Sequence, residues 1–168
     1  CSYTALPYPK NMNFLDINVL DKFIEDINIA GSIFNKANKV LCYHNHALEF
    51  QKINNEIILE RIYKNTNNKC IQGEPDIYWI QKGGHDPISW CKKLKNRLPL
   101  IHLKDFIMLS EQESYYAEIG NGNLDIKNII KEAELSGCKW YIVEQDECQG
   151  DPFISIETSF NNLLKFVK

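Results

Sequence analysis

"VLCYHNHALEF", residues 40–50, ends an apolar run with two histidines one residue apart and a glutamate three positions further on. The stretch "KVLCYHNH" (39–46) reads as a strand. Residues two apart on a strand share a face, so His44 and His46 point the same way where the strand ends. Imidazoles placed like this either satisfy a core or face something that takes nitrogen and carboxylate ligands. The flanking sequence has to decide between the two.

Upstream, "CSYTALPY" (1–8) reads as a strand and a loop. Residues 15–37 then carry Val19, Leu20, Phe23, Ile24, Ile27, Ala30, Phe34 and Ala37 in one helical stripe. Downstream, "EIILERIY" (56–63) reads as a helix and "KCIQGEPDIYW" (69–79) as a strand running into a loop. "DPISWCKKLKNR" (86–97) predicts a helix with Asp86 as N-cap, Pro87 in the first turn and basic residues toward its end. "LPLIHLKDF" (98–106) and "CKWYIVEQD" (138–146) read as strands. Between them, "LDIKNIIKEAELSG" (124–137) predicts a helix starting at Asp125 and stopping at Gly137. A last helix follows over 155–167, through Ile156, Phe160, Leu163, Leu164 and Val167. Five strands alternating with five helices predict one α/β domain over residues 1–168, made of βαβ units on a parallel sheet.

Bulk composition excludes several classes. Of 168 residues, 44% are apolar and 24% charged, which is ordinary for a soluble globular chain. A net charge of −3 supplies no basic footprint for nucleic acid. Apolar runs are too short to span a bilayer, so no membrane partner is expected. The six cysteines (1, 42, 70, 91, 138 and 148) form no C-x-x-C pair. Cys42, Cys70 and Cys138 lie in or beside apolar runs, as small hydrophobes do. A reducing compartment, a cytoplasmic location and no disulfide framework are therefore expected. The sequence starts at Cys1 and not at a methionine, and no signal peptide is expected. A mature lipoprotein would also begin with cysteine; the simpler expectation is that residues upstream are missing.

In a parallel α/β protein, ligands bind at the carboxyl ends of the strands. Here these ends carry His44, His46 and Glu49; then Glu74 and Asp76; then His102, Lys104 and Asp105; then Glu144 and Asp146. Each of these residues alone is more often a surface, capping or hydrogen-bonded group. Four successive strand ends with the same chemistry argue for a shared site, of a kind that suits Mn²⁺, Mg²⁺, Co²⁺ or Zn²⁺.

Together, "YHNHALEF", "GEPDIYWIQKGGHDP", "RLPLIHLKD", "AEIGNGNLDIKNII" and "WYIVEQD" resemble the sugar phosphate isomerase/epimerase family, which are xylose-isomerase-like TIM barrels. The resemblance runs from about the first residue to the C-terminus and corresponds to the later part of the barrel. It implies a metal held by Asp76, His102 and Glu144, with Glu49 as fourth ligand and His44 as the alternative, because the family's first glutamate is His44 in "HNH". The resemblance further implies that Glu144 and His46 move protons next to a carbonyl, that Lys104 holds an oxyanion, and that an enediolate is stabilised by the metal, most expectedly Mn²⁺. His44, Trp79 and the loop residues Lys82 and His85 are expected at a carbohydrate substrate. An isomerase or epimerase leads; a keto-sugar lyase, dehydratase or hydrolase, or an inactive metal- or sugar-binding fragment, are the alternatives. A complete (β/α)₈ barrel takes about 250 residues, so about five units are present. Open sheet edges then call for a homo-oligomer or for association with the remaining barrel half.

Overall fold

The computed structural model describes residues 1–166; Val167, expected on the last helix, lies outside the described residues. The chain opens with β1 (Tyr3–Leu6), α1 (Ile17–Lys36) and β2 (Val40–Tyr43). A single 3₁₀ turn (Leu48–Phe50) leads to β3 (Lys52–Ile53), β4 (Glu56–Ile57), α2 (Ile58–Lys64) and β5 (Ile71–Gly73). Two short helices follow, α3 (Ile77–Lys82) and α4 (Pro87–Lys93), then β6 (Leu100–Leu103), β7 (Asp105–Met108) and β8 (Ser114–Ala117). The end of the chain supplies α5 (Ile126–Leu135), β9 (Trp140–Val143) and α6 (Pro152–Leu163).

The wall of the fold is parallel and runs β1-β2-β5, then β6-β9. A parallel bridge between Asp76 and His102 joins the two parts. These five strands are those read from the sequence, and they stand in the wall in chain order. Alternation along the strands gives the wall two faces. Leu41, Tyr43, Ile71, Ile101 and Leu103 join the buried core with Leu20, Phe23 and Ile27 of α1 and Ile129 and Ile130 of α5. The other face carries His44, Glu74, His102 and Glu144, and below them a cavity of about 430 Å³ lined by Tyr3, Ala5, Glu74, Leu100, Trp140 and Ile142. Residues of both outer strands, β1 and β9, meet around that cavity, so the wall curls. Gly31 lets α1 lie close on β5: a Cβ there would sit 2.9 Å from the Cys70 carbonyl oxygen.

Caps act where the sequence puts them. Asp86 accepts from the Ile88 and Ser89 N–H groups with Pro87 in the first turn, Asp125 caps α5, and Gly137 ends it at φ 102°. The last helix starts earlier than expected, at Pro152, because Asp151 caps it. Two small hairpins were not legible. Asn54 and Asn55, both at positive φ, turn β3 back on β4, so the helix expected from residue 56 starts at Ile58. β7 and β8 pair antiparallel beyond the strand end of β6. All six cysteines are free.

Candidate metal centre

Four strand ends deliver one side chain each to the same point. His44 follows β2, Asp76 follows β5, His102 lies within β6, and Glu144 follows β9. The ladder extends to these ends: Glu74 N–H donates to Tyr43 O, His102 N–H to Pro75 O and Glu144 N–H to Leu103 O, each at 3.0 Å. One ligand atom from each of His44, Asp76, His102 and Glu144 lies within 4.8 Å of the others. Asp76 divides its carboxylate between two tasks. Oδ1 accepts from the Tyr78 and Trp79 N–H groups at 2.9 and 3.1 Å, capping α3, while Oδ2 faces Lys104 Nζ at 3.6 Å. The His102 ring sits between two carboxylates, with Nδ1 2.6 Å from Glu144 Oε2 and Nε2 3.0 Å from Glu74 Oε1. The buried ammonium of Lys104 also lies 3.4 Å from Glu144 and 3.0 Å from Asp146.

Charge at the site follows from this packing. Burial disfavours a charged His102, but hydrogen bonds to Glu144 and Glu74 outweigh it and lift the imidazolium to about 9. The same bond from His102 holds Glu144 down at about 2. His44, buried and next to His102 and His46, is pushed down to about 3 and stays neutral with a lone pair to offer. Burial raises Asp76 to about 7 against the pull of Lys104.

The donor set fits a divalent cation. Buried polar atoms are normally paired, yet among the described residues His44 Nδ1, His46 Nδ1, Asp76 Oδ2, Glu74 Oε2, Asn45 Nδ2 and Trp79 Nε1 lack a hydrogen-bond partner, all on or next to these strand ends. Two imidazoles and two carboxylates within one small volume are ligands that Mn²⁺, Co²⁺ or Zn²⁺ accept. His44, Asp76, His102 and Glu144 are the residues that would hold such an ion.

The sequence profile of the xylose isomerase-like TIM barrel family matches residues 6–163. The chain belongs to that family. Among solved structures, a sugar phosphate isomerase/epimerase from Parabacteroides distasonis is 29% identical at a TM-score of 0.85, over 99% of this chain and 59% of that one. A second protein so named from the same organism is 23% identical at 0.82, over 100% and 61%. A 3-keto-D-glucoside 4-epimerase from E. coli is 14% identical at 0.69, over 96% and 63%; at such identities the likeness concerns the fold alone. A search of curated proteins finds no match. This chain thus spans about three fifths of the length of these solved relatives.

Within this xylose isomerase-like wall, the expected site residues separate. His44, Asp76, His102 and Glu144 come together; Glu49 does not join them. Its fully buried carboxylate turns inward, accepts the His46 N–H with both oxygens at 3.1 Å and the Tyr43 hydroxyl at 3.0 Å, and so shapes the turn carrying both histidines. His46 stands beside the group, its ring 5.0 Å from His44 and 5.3 Å from Trp79. Lys104 Nζ lies 5.2 Å from the Trp79 ring, and Lys82 Nζ 5.2 Å from the same ring while donating to the Tyr78 hydroxyl at 3.0 Å. His85 is elsewhere: its ring stacks on Phe50 at 5.0 Å and meets Trp90 edge-on at 6.3 Å, outside the group. Sequence reasoning missed Glu74 as the partner of His102, and the Tyr78 and Tyr116 rings 5.9 and 5.6 Å from Lys104. The glutamate two positions before Asp76, on the same strand face, was the signal for Glu74. Asp105 proves structural: its carboxylate accepts the N–H groups of Phe106, Gly120, Gly122 and Leu124 and shapes the glycine-rich rim.

Proposed function

We propose that this chain carries the metal centre of a sugar isomerase or epimerase that moves a proton next to a carbonyl. The observation carrying this reading is the meeting of His44, Asp76, His102 and Glu144 within 4.8 Å at successive strand ends of a barrel of this family. A divalent ion held there supplies Lewis acidity that polarises the substrate's carbonyl and hydroxyl oxygens. Two imidazoles among the four ligands favour Mn²⁺, Co²⁺ or Zn²⁺ over Mg²⁺.

The chain's own residues do the rest. His46 is the proton carrier: burial and the neighbouring Lys104 lower its affinity for a proton, so the ring is neutral at pH 7 and its unpartnered Nδ1 is free to accept one. Glu144, ionised and opposite, takes or returns the proton on the other side of the carbon. Lys104 holds its positive charge against burial because Asp76, Asp146 and Glu144 surround it, and the ammonium steadies the oxygen on which negative charge develops. Trp79 supplies a flat apolar face for a sugar ring, and Lys82 marks the rim. In a complete barrel of this family, further βα units would cover the β1 edge and the β9–α6 flank and complete the substrate pocket.

Elemental analysis of the purified chain tests the centre, with Asp76→Ala/His102→Ala as control. About one divalent ion per chain, lost in the double variant, is the expected result, followed by solvent deuterium entering the C–H of keto-sugars. Equal metal in both proteins sinks the site.

A further inference from the structure

We infer that Glu74 is the positioning residue of the centre: it holds Nε2 of His102 so that Nδ1 is presented to the metal. This rests on the metal reading above and extends it to a residue outside the ligand group. The Glu74 side chain is 3% exposed, with Oε1 3.0 Å from His102 Nε2; among the described residues Oε2 is buried without a hydrogen-bond partner. A buried carboxylate with one partner is costly to keep unless that pairing is used. The backbone adds a second grip on the same residue. Glu74 N–H is tied to Tyr43 O, and the next carbonyl, Pro75 O, accepts the His102 N–H, both at 3.0 Å. Main chain and side chain of one dipeptide therefore set both the height and the ring angle of His102.

The ring's opposite nitrogen, Nδ1, lies 2.6 Å from Oε2 of Glu144, which shares the ligand group with His102. With a proton on Nε2 held by the Glu74 carboxylate, Nδ1 would be the lone-pair nitrogen available to an ion. At His44, Nδ1 is buried without a hydrogen-bond partner among the described residues.

The test uses the 168-residue chain, labelled with ¹⁵N-histidine, and its Glu74→Gln and Glu74→Ala variants. Zn²⁺ and Co²⁺ affinities are measured by calorimetry and the His102 tautomer by ¹⁵N NMR of the Zn²⁺ form. E74A is expected to bind both ions about 10–100-fold more weakly, and its His102 to lose the single Nε2–H form. E74Q keeps an acceptor, so it should keep the tautomer and lose less affinity, which separates positioning from a folding defect. E74A affinity within twofold of the unmodified chain, with the Nε2–H form intact, overturns the inference. Should the unmodified chain take up neither ion, the metal reading itself fails. Exchange of the His102 Nε2 proton in the ion-free chain then decides for Glu74: faster exchange in E74A supports its hold on the ring, and unchanged exchange refutes it.

Discussion

The middle of the wall and its flanks are built from the same kind of strand and end in opposite states. β6 buries Leu100, Ile101 and Leu103, with β5 and β9 on either side and α5 behind. β9, read from an equally apolar run, leaves Trp140 59% exposed, and α6 beside it leaves Ile156 and Phe160 open along a groove of about 430 Å³. β1 likewise exposes Thr4 and Ala5. Strand identity is local, whereas burial depends on what packs against the strand. The donor group draws on both: His44, Asp76 and His102 stand on the covered strands, and Glu144 on the open flank.

The contrast breaks most visibly under core truncation. Ile101→Ala is expected to lower unfolding stability by about 2–5 kcal/mol, because a cavity opens in a packed wall. Trp140→Ala on the flank should cost less than about 1 kcal/mol in urea titrations of this chain. Equal losses would show that the flank is covered in solution.

At the rim, Asp105→Ala strands four backbone N–H donors. A loss of about 2–3 kcal/mol is expected, with faster amide exchange at Gly120 and Gly122 and little change at β2. The rim has no room to adjust, since a Cβ on Gly122 would collide with the Asp105 carboxylate and the Phe106 carbonyl oxygen.

The smallest effect is a pH dependence behind β2. Burial raises Glu49 from 4.5 to about 7, against its hydrogen bonds from His46 and Tyr43. A carboxyl with a raised folded pKa stabilises fully below its unfolded value and loses that contribution as pH rises through about 7. Stability of the ion-free chain should therefore fall between pH 5 and 7 more steeply than that of Glu49→Gln, by on the order of 1–2 kcal/mol. Asp76 shifts in the same direction and is present in both proteins, so the difference isolates Glu49. Parallel melting curves across that window would show that Glu49 is not held in a dry pocket.

Much of this arrangement was legible beforehand because it is periodic or local. Alternation along "LPLIHLKDF" placed His102 and Lys104 on one face, and Asp86, Asp125 and Gly137 marked helix ends through contacts within a few residues. The β3–β4 hairpin escaped because its strands are two residues each, too short for a period. The Trp140 exposure escaped because an apolar strand looks the same with or without a neighbour.

By itself, then, the sequence determined five strands of a parallel sheet and an ionisable residue at the end of four of them. Tertiary structure alone decided which of those residues meet. Glu49 and His44 are near in sequence and both suited to a cation, but only His44 extends from the strand into the donor group; Glu49 satisfies the turn's own N–H. His85 follows Gly84 into the helical layer and packs on Phe50. The physical reason is one of range. Hydrophobic period and caps act over a few residues, whereas a buried carboxylate or imidazole takes whichever partner the packed wall leaves within about 3 Å.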